Sequence, residues 1–315
     1  MSYISNAAQF LSDGCAQISK SSYHYNQACH DDKPLMIIGC GRSGSTLLRA
    51  MLMSGQDIAI PPESYVWGAV ARRFMFWRFL SWERLCDKVL DKFVTFQEFH
   101  TWGMDATPLY QRAYDLPETK RDLYNIINLL YTAYAAQSDQ GMTRWGDKTP
   151  LNTRSLSEIS RIVPHAQYVH LVRDPRAVAL SYVRAAQGNK MIKEATIEDA
   201  AQRWVCAERS IAAFKQQLNA QNYLQVRFED LLTRPQETLR GVCDFLSLTY
   251  SDEMVERDKS AVLGLGDVEL YKHHDRALRE IDPERVNEWS KHISVAQQKR
   301  IEKITLQYAQ QYAYF

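Results

Sequence analysis

The chain has 315 residues, and its 38 lysines and arginines almost balance 37 aspartates and glutamates. That length is enough for one large α/β domain or two small ones with a substantial core. The near-zero net charge argues against a nucleic-acid binder held by bulk electrostatics, although a local basic groove remains compatible with it. The six cysteines (Cys15, Cys29, Cys40, Cys86, Cys206 and Cys243) show no Cys-x-x-Cys spacing. Neither a zinc site nor a disulfide framework is expected, and a reducing cytoplasm is the default location. Met1 to Ser19 lacks the basic and apolar pattern of a signal peptide, and no stretch approaches ~18 uninterrupted apolar residues, so no transmembrane segment is expected.

Residues 1–32 read as an N-terminal helical extension, a weak helix followed by a polar connection from Ser21 to Asp32. It would pack on a single domain spanning 33–315, since no repeat, linker or low-complexity segment divides the rest. Leu35-Met36-Ile37-Ile38 predicts a short strand buried on both faces, and Thr46 to Met53 an amphipathic helix. Between them runs Gly39-Cys40-Gly41-Arg42-Ser43-Gly44-Ser45-Thr46. Strand, glycine loop and helix start make a phosphate cradle, because glycines let the backbone approach an anion and the helix dipole attracts it. The motif Gly-x4-Gly-Ser-Thr differs from the nucleotide triphosphate loop Gly-x4-Gly-Lys-Ser/Thr at one position. Ser45 replaces the lysine and the cation, Arg42, comes three residues earlier, which suits one phosphate better than ATP hydrolysis. A plain glycine turn is the other reading of the same residues.

Ile58-Ala59-Ile60 predicts a second strand, ended by Pro61-Pro62, and Glu63 then opens a helical stretch. A carboxylate there is explained simply by the helix dipole. Tyr65 to Trp82 carries seven aromatics among Arg72, Arg73 and Arg78. It reads as one or two helices packed over the mouth of a site, as a substrate-shaping wall, or as an interfacial helix. Further helices fill the stretch to residue 140, the clearest being Asp122 to Ala136. Trp145-Gly146-Asp147-Lys148-Thr149-Pro150 is punctuated as a turn. Gln167 to Arg173 predicts a strand, and Pro175 the first turn of a helix through Ser181. Thr196 to Asn219 reads as a long helix, Tyr223 to Leu232 as a strand running into a helical turn at Phe228, and Val295 to Tyr312 as a final helix. His273-His274-Asp275 is polar loop and not a converging ligand set, so no metal is expected.

Several of these segments together resemble one family. Gly41-Arg42-Ser43-Gly44-Ser45-Thr46-Leu47-Leu48-Arg49-Ala50-Met51-Leu52 is similar to the 5′-phosphosulfate loop of sulfotransferases that use 3′-phosphoadenosine-5′-phosphosulfate (PAPS), and is nearest the tyrosyl-protein and bacterial form. The resemblance implies an α/β fold with a P-loop-type parallel sheet flanked by helices, and a helical insertion forming the acceptor pocket. It implies that Glu63 is the general base, the position where cytosolic members use a histidine. Lys148 in Gly-Asp-Lys-Thr-Pro would touch the transferring sulfuryl group, with Arg42 beside it, and residues 41–46 would hold the 5′-phosphosulfate. Arg173 and Ser181 would grip the 3′-phosphate. Phe228, where the family has tyrosine, would lie near the nucleotide, and Trp289-Ser290-Lys291 would close over it without the Arg-Lys-Gly loop of cytosolic members.

The implied reaction is sulfuryl transfer from PAPS to a hydroxyl or amine, leaving adenosine 3′,5′-bisphosphate and using no metal. A kinase or NTPase of the same fold needs the loop lysine that Ser45 replaces; a non-catalytic nucleotide-binding protein would not need both Glu63 and Lys148. A small-molecule acceptor, such as a natural-product alcohol, phenol or amine, is the expected partner. A peptide, glycan or lipid remains open, and so does the oligomeric state.

Overall fold

Leu35–Ile38 forms β1, and all four residues are buried. Their side chains alternate between two cores, Leu35 and Ile37 joining one cluster and Met36 and Ile38 the other, as a strand packed on both faces requires. The structure, a computed structural model, describes residues 22–26, 33–137, 142, 144–188, 196–256 and 281–315. The N-terminal helix and the His273-His274-Asp275 loop expected from sequence lie outside these residues. Within 22–26, Tyr25 packs its ring 4.6 Å from Phe74 and His24 bridges to Asp122, so this stretch lies on the domain surface in extended form.

After β1 come α1 (Ser45–Ser54), β2 (Ile58–Ala59), α2 (Trp67–Trp77), α3 (Trp82–Val94), α4 (Thr107–Tyr114) and α5 (Leu123–Ala135). Then follow β3 (Arg144–Asp147), α6 (Leu156–Ile159), β4 (Gln167–Val172), α7 (Pro175–Gly188) and α8 (Ile197–Lys215). The order closes with β5 (Tyr223–Arg227), α9 (Phe228–Thr233), α10 (Pro235–Leu246), α11 (Glu253–Glu256) and α12 (Val295–Ala309). The caps explain several boundaries. Asp122 accepts from the Asn125 amide to start α5, and capping boxes at Thr196 and Ser294 start α8 and α12.

One five-stranded sheet has the order β2-β3-β1-β4-β5, and every pairing is parallel. α2 to α5 form the insertion between β2 and β3, burying Trp67, Phe74, Phe93 and Tyr131 with Trp145 of β3 on one face. The opposite face packs Leu48 and Met51 of α1 against Val169, Leu171, Leu231 and Val242. In a parallel sheet all strands point the same way, so their carboxyl ends share one edge, where ligands of open α/β sheets bind.

The structure corrects one boundary. Glu63 does not open a helix, because α2 starts only at Trp67. Pro61 and Pro62 disfavour helical backbone before them, and Tyr65 sits at φ 52, outside the right-handed helical region. The aromatic stretch forms two helices, α2 and α3, whose inner faces are buried while Met75, Phe76 and Phe79 face outward at 56%, 76% and 49% exposure. Among the described residues no helix is long and apolar enough to cross a membrane.

Candidate active site

All five strands deliver a singled-out residue at the carboxyl edge: β1 the glycine loop, β2 Glu63, β3 Lys148, β4 Arg173 and β5 Phe228. The glycine loop is built for close approach. Gly44 caps α1 at φ 93, and a Cβ there would fall 2.2 Å from the Phe228 ring. At Gly41 a Cβ would lie 2.4 Å from the Tyr182 hydroxyl, which seals the loop from below. Ser43 is 1% exposed, and its hydroxyl has no protein partner among the described residues. A buried orphan hydroxyl beside the start of a ten-residue helix with no acid in its first turn fits a phosphate oxygen. Thr153 fixes the loop from the side, accepting from the Gly39 amide and donating to the Gly39 carbonyl at 3.2 and 3.0 Å.

Glu63 and Lys148 meet. Pairing of β2 with β3 sets their two loops side by side, and Lys148 Nζ lies 2.5 Å from Glu63 Oε1 and 3.4 Å from Thr46 Oγ1. Lys148 is 2% exposed, whereas the Glu63 side chain keeps a partly open face. Behind them Arg49 of α1 is fully buried and donates from Nε to the Ile60 carbonyl at 2.7 Å, holding the start of the Glu63 loop. Burial lowers the Arg49 pKa, and Tyr134 and Glu63 oppose that shift. The pair thus unites a proton acceptor, a cation and the phosphate-loop threonine at one point.

The second anion site lies beyond β4. Arg173 donates from Nη1 to the Arg42 carbonyl at 3.1 Å, and Arg42 donates from Nε to Ser181 Oγ at 3.2 Å. The side chain of Arg42 thus reaches Ser181 on α7. The Arg173 guanidinium lies 4.3 Å over the Phe228 ring. Phe228 is 3% exposed, between that guanidinium and Gly44, so it spaces the two anion sites and offers little open face to a base. Burial pulls the Arg173 pKa down to about 10, and Arg285 and Arg42 push the same way against the opposing charge of Glu229. The charges of Arg42 and Arg285 thus act on Arg173. Arg285 was invisible as a site residue in the sequence, where only the surrounding segment was suggestive. Trp289 packs under the Arg176 guanidinium, 4.1 Å away, in one cluster with Ala177, Ile293 and Ile301.

Glu229 and Tyr314 also escaped sequence reasoning. Glu229 Oε1 accepts from the Asp174 amide at 2.9 Å and Oε2 from the Tyr314 hydroxyl at 2.8 Å, while Trp204 donates to the Arg173 carbonyl at 3.0 Å. Together they fix the backbone that carries Arg173. Burial raises the Glu229 pKa, and the two hydrogen bonds partly offset it.

A glycine loop, a carboxylate–ammonium pair and a buried arginine thus share the carboxyl edge of one parallel α/β sheet. The chain belongs to the sulfotransferase family, whose family model matches residues 34–252. Among curated proteins it is 24% identical over 265 residues to protein-tyrosine sulfotransferase 1 of Danio rerio, covering 82% of this chain and 66% of that one. It is 22% identical over 290 residues to the protein-tyrosine sulfotransferase of Drosophila melanogaster, covering 90% and 53% respectively. The chain thus spans between half and two thirds of the length of these relatives. Two solved structures share the fold at a TM-score of 0.59. The sulfotransferase domain of the Synechococcus PCC 7002 olefin synthase is 22% identical, with 90% of this chain and 97% of that one covered. That of the curacin biosynthetic pathway is 24% identical, with 91% and 99% covered. A mouse sulfotransferase solved with adenosine 3′,5′-bisphosphate (PAP) gives a TM-score of 0.51 at 11% identity, covering 94% and 91%.

Proposed function

We propose that the chain transfers the sulfuryl group of PAPS to an acceptor hydroxyl or amine, with Glu63 as general base. The observation that carries this reading is the Glu63–Lys148 contact beside Thr46. Glu63 takes the acceptor proton, and the acceptor oxygen forms its bond to sulfur in line with the bridging S–O bond, which breaks. The electron pair of that bond goes to the departing phosphate of PAP, where Lys148 stabilises the charge. Arg42, Ser43, Gly44, Ser45 and Thr46 hold the 5′ side, and Arg173, Ser181 and Arg285 the 3′-phosphate. Arg42, turned to Ser181, bridges the two sides. No covalent intermediate is needed, because positioning and electrostatics can supply most of the rate enhancement. The acceptor reading remains a small-molecule alcohol, phenol or amine met in the cytoplasm; the names of the two curated relatives favour a phenol.

The test has two arms. Calorimetry should show PAP binding without Mg²⁺, and far tighter than ATP with Mg²⁺; the reverse order would return the chain to the kinase reading. With an aliphatic alcohol acceptor, Glu63→Gln should keep PAP affinity and cut kcat by roughly 10²–10⁴. Turnover within a few-fold of the unaltered protein would remove Glu63 as base.

A further inference from the structure

Asp147, the last residue of β3, is 2% exposed and immediately precedes Lys148. Its carboxylate collects four donors. Oδ1 accepts from Asn152 Nδ2 at 2.7 Å. Oδ2 accepts from the hydroxyls of Tyr131 at 2.7 Å, Thr149 at 3.3 Å and Ser64 at 3.4 Å. Two of these donors have no freedom to turn away. The Tyr131 oxygen receives Trp67 Nε1–H at 2.7 Å, which directs its proton to Asp147. The Thr149 oxygen receives the Ser64 amide at 3.1 Å, which does the same. Every partner donates, so the site is built around an ionised carboxylate.

A buried charge is expensive to keep, and an apolar residue of similar volume would pack β3 as well. The reason for it lies in what the partners adjoin. Ser64 follows Glu63, and Asp147 itself precedes Lys148, so one carboxylate ties together the neighbours of both reacting groups. We propose that Asp147 is a positioning residue, locking the Glu63 loop to the Lys148 loop through Ser64 and Thr149 and thereby fixing the base and the cation in register. This rests on the reading of Glu63 as base.

The network also sets the electrostatics of the pair. Glu63 pairs with Lys148 and acts electrostatically on Arg49 of α1 and on Asp147 of β3. Burial raises the Asp147 pKa, the bonds from Tyr131, Thr149 and Asn152 lower it, and the charge of Glu63 raises it again. Burial holds the Tyr131 phenol well above its ordinary range, so it stays a donor.

The experiment compares Asp147→Asn with Ser64→Ala and Tyr131→Phe, each alone and with Glu63→Gln, using an aliphatic alcohol acceptor. An asparagine opposes its N–H groups to donors already committed. Asp147→Asn should lower kcat by roughly 10–100-fold, as expected for a small displacement of reacting groups, with PAP affinity nearly unchanged. Ser64→Ala should show a smaller loss of the same kind. In the Glu63→Gln background these losses should shrink several-fold, since of the two groups held in register only Lys148 remains. Should Asp147→Asn fail to fold, the Ser64 and Tyr131 variants carry the same expectation. Variants that lose melting temperature but keep kcat, or that lose as much activity in the Glu63→Gln background, would overturn the proposal. Full activity in Glu63→Gln would instead overturn the base assignment beneath it.

Discussion

Replacing Gly44 by alanine tests how closely the phosphate loop is fitted to the second anion site. Gly44 sits at φ 93 and ψ 13, where an L-residue costs about 1–2 kcal/mol. The new Cβ would also stand 2.2 Å from Phe228 Cδ2, well inside contact distance. Phe228 cannot simply recede, because its ring is buried and carries Arg173 4.3 Å away. Overpacking of a core of this kind costs about 1–3 kcal/mol, so the whole penalty should be about 2–5 kcal/mol. Urea unfolding of the unaltered protein, Gly44→Ala, Phe228→Leu and the double variant separates the two contributions. With the smaller leucine in place, adding Gly44→Ala should cost only the backbone part, about 1–2 kcal/mol. PAP affinity should fall in Gly44→Ala, since any shift of Phe228 displaces Arg173. An equal cost in both backgrounds would show that the ring does not press on the loop. A cost under about 0.5 kcal/mol, the ordinary surface value, would refute the reasoning altogether.

Two further outcomes follow from the arginine cluster and its support. Arg173→Ala should weaken PAP by about 2–4 kcal/mol while leaving AMP almost unaffected, because only the former brings a 3′-phosphate; calorimetry with both nucleotides checks this. Glu229 has its pKa raised by burial, so the folded state holds its proton more firmly than the unfolded chain. Stability from this group therefore grows as pH falls through its folded pKa toward its unfolded value, and declines as pH rises again. The stability of the unaltered protein relative to Glu229→Gln should accordingly improve on acidification, as measured by urea unfolding at neutral and mildly acid pH.

The elements that were legible in the sequence are those specified locally. β1 and the glycine loop are set by four apolar residues and a turn, and α7 by Pro175 in its first turn. Their positions on one edge follow from parallel topology, which a βα pattern already implies. What was not legible depended on long-range partners. Glu63 read as a helix-start acid because periodicity cannot see that Tyr65 holds a positive φ. The turn of Arg42 toward Ser181 joins residues 139 positions apart, and the Tyr314–Glu229 bond joins residues 85 apart. Asp147 looked like one polar residue in a turn, since none of its donors except Thr149 and Asn152 lies near it in the chain. The family resemblance therefore singled out Glu63 and Lys148, and packing alone revealed what brings them together.

The separation of those contacts along the chain has a kinetic consequence. Gly39 meets Thr153 across 114 residues, and β1 is central only because β3 and β4 come to lie on either side of it. The turn in which the Ser43 amide donates to the Cys40 carbonyl is local, but the fit of the glycine loop against Thr153, Tyr182 and Phe228 cannot form before loops of that length have closed, a slow step for parallel sheets. The loop should then open and close with the sheet as one cooperative unit. Weakened packing far away, for example under Trp145, would lower the fraction of molecules that possess a site at all. Such molecules would turn over less substrate per milligram while each surviving site worked at its full rate.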